Sequence, residues 1–135
     1  MKTPDGSVRR ILVVEDEPLI SEVCQRVLTR EGYVVEIAAY GKLARDMVGV
    51  KPYDVYLIDI RPPAMSGKEF YEWLQENYSQ ETKRVILTTG DMLGVATKVF
   101  IEGTGRPYLP KPFSPDDLKA IVRETLLNQI DSSSR

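Results

Sequence analysis

The stretch Ile11-Leu-Val-Val-Glu-Asp-Glu-Pro18 decides how the rest of the chain is read. Four aliphatic residues run directly into three carboxylates, and a proline follows. An unbroken apolar run of this length suits a strand covered on both faces. Proline after acidic residues suits the first turn of a helix, where its missing N–H costs nothing. Three acids at that junction would repel one another, and any of them drawn out of water would need a partner. The stretch therefore predicts a buried strand, a turn into a helix, and acids that either spill into solvent or await a cation.

The same alternation continues along the chain. Further strands are expected at 34–38 (VVEIA), 55–59 (VYLID), 84–89 (RVILTT) and 107–110 (PYLP). Helical spacing joins Leu19, Ile20, Val23, Val27 and Leu28 between Pro18 and Glu31, and Gly32 stands just past that helix. Shorter helical patterns cover 40–48 and 91–102. Ser-Gly-Lys-Glu at 66–69 has the form of a capping box ahead of Phe70, Trp73 and Leu74. Ser114-Pro-Asp-Asp117 opens a last helix with the inner stripe Leu118, Ile121, Val122, Thr125 and Leu126. Five strand–helix repeats imply right-handed crossovers and a doubly wound parallel α/β sheet.

Composition narrows the function. The 135 residues suffice for one domain; 42% are apolar and 28% charged, and the net charge is −2. No basic stripe points to nucleic acid. The single cysteine, Cys24, falls on an apolar helical stripe and reads as a small buried hydrophobe. No run is long enough to span a membrane, and Met1–Arg10 lacks the apolar core of a signal peptide. The absence of histidine excludes histidine triads and histidine metal sites within this chain. A cytoplasmic setting without membrane contact is expected.

In a parallel sheet, functional groups collect at the carboxyl ends of the strands. Here the first strand ends in Glu15 and Asp16, the third in Asp59, the fourth in Thr88 and Thr89, and the fifth runs into Lys111. Carboxylates at that density suit a hard divalent cation such as Mg²⁺. An aspartate beside such a cation can accept a phosphoryl group, with a lysine and a hydroxyl to stabilise the equatorial oxygens. The chain has no P-loop.

As an ordered set, VVEDEP, LIDIRPPAMSG, LTTGD and YLPKPF resemble the receiver domain of bacterial response regulators, and the resemblance covers about residues 8–128. It implies a flavodoxin-like (βα)5 fold with strand order 2-1-3-4-5. It implies that Asp59 is the phosphorylated aspartate and that Lys111 pairs first with Asp59 and then with the phosphoryl oxygens. Thr89 would bond the phosphoryl group. Asp16, Glu15, Asp59 and the backbone carbonyl of Arg61 would hold Mg²⁺. Tyr108 would be the aromatic switch partnered to Thr89, and Lys111–Pro112 a cis peptide. A sensor histidine kinase or histidine phosphotransfer domain would donate the phosphoryl group. A homodimer through the fourth helix, fifth strand and fifth helix is a further expectation. Such a domain catalyses its own phosphorylation and dephosphorylation, and belongs to a stand-alone regulator or to a hybrid histidine kinase.

Two side chains depart from the usual pattern: Pro62, where methionine is common, and Arg61, where small or amide residues are common. Arg61 and Asp91 border the acceptor crevice. They would either pair across it, partly covering Asp59, or point into solvent. Glu17 reads as a solvated acid at a helix start. The chain divides into a leader or linker over 1–7, a receiver domain over 8–130 and a frayed tail over 131–135. Two rival readings are a phosphate-independent pseudo-receiver that serves as an interaction module, and a flavodoxin-like small-molecule binder. The second would want a Ser/Thr/Gly loop where this chain has Glu-Asp-Glu-Pro.

Overall fold

A computed structural model describes residues 8–61, 66–90 and 94–133, with 130–133 as backbone only. Five parallel strands, β1 (Arg10–Val14), β2 (Val34–Ala38), β3 (Val55–Asp59), β4 (Val85–Thr89) and β5 (Tyr108–Pro110), stand in the order β2-β1-β3-β4-β5. They alternate with α1 (Pro18–Arg30), α2 (Gly41–Val48), α3 (Ser66–Asn77), α4 (Val95–Thr104) and α5 (Pro115–Ser133). This is the flavodoxin-like topology expected from the strand-end motifs.

The continuous apolar runs are explained by two cores. Successive strand residues point to opposite faces, and each face is covered. Leu12, Val14, Tyr56 and Ile58 pack with Ala44, Phe70, Leu74 and Ile101 from α2, α3 and α4. Ile11, Val13, Val55 and Leu57 pack with Cys24, Leu28, Leu118 and Val122 from α1 and α5. With both faces dry, β1, β3 and β4 need no polar residue until their ends, while the edge strand β2 carries Glu36.

Local chemistry sets several boundaries. At the start of α5, Ser114 and Asp117 cap each other: the Asp117 N–H donates to Ser114 Oγ at 3.0 Å, and the Ser114 N–H to Asp117 Oδ2 at 3.3 Å. Helix α4 ends at Gly105, whose φ of 67° is left-handed and favours glycine. The backbone of α5 remains helical to Ser133, so the frayed tail expected from residue 131 is helix over its first three residues. The strand expected from Arg84 begins at Val85, because Ser79–Arg84 forms a 3-10 helix that the sequence pattern does not signal. That segment is polar and has no apolar period. It is fixed instead by the Tyr56 hydroxyl donating to Glu81 at 2.8 Å and by Arg84 Nε donating to Glu81 at 3.2 Å.

Strand register sets the functional edge. Val14 lies beside Ile58, Asp59 beside Thr88, and Thr89 beside Pro110. The last residues of β1, β3, β4 and β5 thus open onto one crevice, while β2 contributes Ala38 and Ala39.

Candidate functional site: an acidic crevice at the strand ends

The Glu15 N–H donates to the Ala38 carbonyl at 3.0 Å, so the β1–β2 ladder continues one residue past β1 and turns Glu15 inward. Glu15 is buried, at 4% exposure. Its Oε1 lies 2.7 Å from Lys111 Nζ, and its Oε2 accepts the Glu17 N–H at 3.1 Å. Burial pushes the Glu15 carboxyl up to about 7; the Lys111 hydrogen bond opposes the rise and the Asp59 charge adds to it.

Asp59 is buried at the end of β3. Its Oδ1 accepts the Arg61 N–H at 3.0 Å, and its Oδ2 lies 3.2 Å from Lys111 Nζ. Lys111 is set beside the crevice by its N–H, which donates to the Thr89 carbonyl at 3.1 Å; the following Lys111–Pro112 peptide is cis. Its side chain is 9% exposed, and its ammonium also contacts Glu17 Oε1 at 3.3 Å. Burial works against this charge, but the hydrogen bonds and charges of Glu15 and Asp59 outweigh it and hold the pKa above that of an ordinary lysine.

Thr88 and Thr89 are both buried beside Asp59, and Thr88 Oγ1 has no hydrogen-bond partner among the described residues. Tyr108 is half-buried and donates its hydroxyl to the Thr89 carbonyl oxygen at 2.9 Å.

One acid differs from the sequence reading. Glu17 does not point into bulk water: it faces Lys111 and Arg61. Carboxylate oxygens of Glu15, Glu17 and Asp59 all lie within 4.8 Å of one another. Asp16 lies further out, half-exposed, and meets Arg61. No sequence signal marks Glu17 as a site residue, because the direction of a helix-start side chain is set by its partners. The Arg61 guanidinium binds Asp16 through Nη2 and Glu17 through Nη1, with Nε 3.6 Å from Asp59 Oδ2. Of the two expected courses of Arg61, the solvated one is not taken: its guanidinium is held by Asp16 and Glu17 and borders Asp59. Asp91 and Pro62 lie outside the described residues.

The donor set is oxygen only, anionic and closely spaced, which fits a hard cation of the Mg²⁺ type rather than a soft one. Glu15, Asp59 and either Glu17 or Asp16 would hold it.

A parallel α/β sheet in this order, with a paired lysine and clustered carboxylates at its carboxyl edge, places the chain in the flavodoxin-like class of doubly wound signalling domains. Residues 11–123 match the family described as response regulator receiver domain, and the chain belongs to it. It is 31% identical over 121 residues to the response regulator ArlR of Staphylococcus epidermidis, covering 90% of this chain and 54% of that protein. The chain thus spans about half the length of that relative. Among solved structures, a CheY-like receiver domain protein from Methanospirillum hungatei JF-1 superposes with a TM-score of 0.83 at 31% identity, over 93% of this chain and 99% of that one. TrrA from Thermotoga maritima, determined in complex with Mg²⁺ and BeF, gives a TM-score of 0.74 at 30% identity, over 88% of this chain and all of that one. Among the described residues, no helix is long and apolar enough to cross a membrane.

Proposed function

We propose that Asp59 is the phosphoacceptor and that the crevice binds Mg²⁺ for the transfer. The observation that carries this is the setting of the Asp59 carboxylate. It is buried at the sheet edge, fixed through Oδ1 by a backbone N–H, and faced through Oδ2 by a buried ammonium. Such a carboxylate is oriented as a nucleophile, and its attack requires no motion of the strand. A sensor histidine kinase or phosphotransfer domain supplies phosphohistidine. The P–O bond to an Asp59 oxygen forms as the P–N bond to the donor imidazole breaks. Bound Mg²⁺ supplies neutralisation of the charge on the phosphoryl oxygens. Lys111 keeps a cation against the same oxygens, and Thr89 offers its hydroxyl to them.

Phosphorylation is read out through Thr89 and Tyr108. The tyrosine hydroxyl is tied to the Thr89 carbonyl, so a shift of Thr89 toward a phosphoryl group disturbs the bond that holds the ring. The surface of α4, β5 and α5 then carries the change to an output partner or a second copy. The acceptor, lysine and hydroxyl together favour this reading over a phosphate-independent interaction module. The Glu-Asp-Glu sequence after β1 disfavours a flavodoxin-like ligand site, since it would repel a phosphate there.

Incubation with acetyl phosphate and Mg²⁺ is expected to add one phosphoryl group, mapped by mass spectrometry to Asp59. EDTA is expected to block it, and Asp59→Asn to abolish it while leaving the far-UV spectrum unchanged. Full labelling of Asp59→Asn would transfer the acceptor role to another residue.

A further inference from the structure

The cations of the crevice stand in two layers. Lys111 lies at the bottom, 9% exposed, against Glu15 and Asp59. Arg61 lies at the rim, its side chain 29% exposed, against Asp16 and Glu17 and beside Asp59. The two differ in freedom. Lys111 is enclosed by its partners. Arg61 leaves the loop after β3, where its backbone N–H is hydrogen-bonded to Asp59 and its guanidinium makes only a longer ion pair with the same carboxylate. Its long side chain can swing into water without disturbing the sheet. A guanidinium is a planar fork that binds two separate carboxylates at once and stays charged at any working pH.

We propose that Arg61 is a displaceable internal cation: its guanidinium neutralises Asp16, Glu17 and Asp59 where a divalent ion would neutralise the same carboxylates, so guanidinium and metal exclude each other. This rests on the metal-dependent reading above and deepens it. The exclusion has two sources. The Glu17 and Asp16 oxygens, one of which would complete the ion's ligand set, are engaged as hydrogen-bond acceptors by Nη1 and Nη2. The positive charge also weakens the field that draws a second cation in. Metal entry must therefore break the pair to whichever of Glu17 and Asp16 it takes and send the guanidinium outward, which sets the metal affinity of this chain below that of a crevice with a neutral residue at position 61. It also makes Arg61 a reporter of occupancy, folded over the acids without metal and released with it.

The test is isothermal titration of the intact chain with MgCl₂, comparing the parent with Arg61→Gln and Arg61→Lys, together with the Arg61 Nε–H signal by NMR. Arg61→Gln is expected to bind Mg²⁺ about tenfold more tightly than the parent. Arg61→Lys, which keeps the charge without the fork, is expected to fall between them. The parent Arg61 Nε–H is expected to exchange with water faster at saturating Mg²⁺ than in metal-free buffer. Equal affinities in parent and Arg61→Gln, or an Nε–H unaffected by saturating metal, would overturn the exchange while leaving the metal site standing. No Mg²⁺ binding by either protein would overturn the metal-dependent function itself, and the exchange with it.

Discussion

Gly67→Ala is expected to lower the unfolding free energy by about 3 kcal/mol, near the top of the usual range for overpacking, and the melting temperature by about 10 °C. Gly67 lies in the first turn of α3, with its Cα directly over the end of β3. A Cβ there would stand 1.8 Å from the Asp59 carbonyl oxygen, 2.8 Å from the Asp59 carbonyl carbon and 3.1 Å from Ile58 Cγ2. Two of these are backbone atoms, and no rotamer change relieves the contact. Helix propensity argues the other way, since alanine is favoured over glycine by about 1 kcal/mol in a helix interior. The clash wins, because either α3 must lift its own Phe70 and Leu74 out of the core or β3 must move. Movement of β3 displaces the acceptor. The labelling rate of folded Gly67→Ala with acetyl phosphate is therefore expected to fall by about a hundredfold, as for a catalytic group misplaced by roughly 1 Å. Calorimetry and labelling at a temperature where the variant is fully folded check both parts. A parent-like melting temperature would show that α3 can leave β3 at no cost.

This close approach also marks the limit of what the sequence makes legible. The strands are visible because two dry faces confine charged and hydroxyl-bearing aliphatic residues to the ends of β1, β3 and β4, and because each run ends abruptly in an acid or a hydroxyl. The edge location of Glu15, Asp59, Thr89 and Lys111 then follows from topology alone. Backbone direction is thus readable, and with it the membership of the crevice. Side-chain destinations are not. Glu17 and Arg61 are long and flexible; each has several staggered courses, and the one adopted depends on charges brought together only by the fold. The same holds for Lys111: its pairing with Asp59 follows from the resemblance that the strand-end motifs carry, but its shorter contact with Glu15 does not, because the inward turn of Glu15 depends on one extra ladder bond to Ala38. Gly67 escapes notice for a related reason. In Ser-Gly-Lys-Glu it reads as helix-start punctuation, and only the packing of α3 on β3 gives it a role.

Below neutrality, the metal-free protein is expected to lose stability as pH rises, and Glu15 is the cause. Burial lifts its folded-state pKa to about 7, against 4.5 for an ordinary glutamate. The folded chain therefore holds this proton more tightly than the unfolded chain does. The stability that the proton contributes is fully present below about pH 4.5, declines as pH rises, and is gone above about pH 7. A difference of this size corresponds to about 3 kcal/mol over the window. Glu36 contributes with the opposite sign: its pKa is lowered by Lys51, Tyr53 and Arg10 despite some burial, so its stabilisation is lost as pH falls through the acid range. The Glu15 part is isolated by subtraction. Glu15→Gln removes the titration but keeps the shape, so the parent should gain on this variant by about 3 kcal/mol between pH 7.5 and pH 4.5 in urea unfolding. Lys111→Met should move the limb the other way. It removes the hydrogen bond that holds the Glu15 pKa down, so the decline extends above pH 7. In the proposed function a divalent cation replaces this proton, and added Mg²⁺ should flatten the parent's slope while leaving that of Glu15→Gln nearly unchanged. Identical pH slopes for parent and Glu15→Gln without metal would mean that Glu15 is ionised throughout the window and that Lys111 alone compensates its burial.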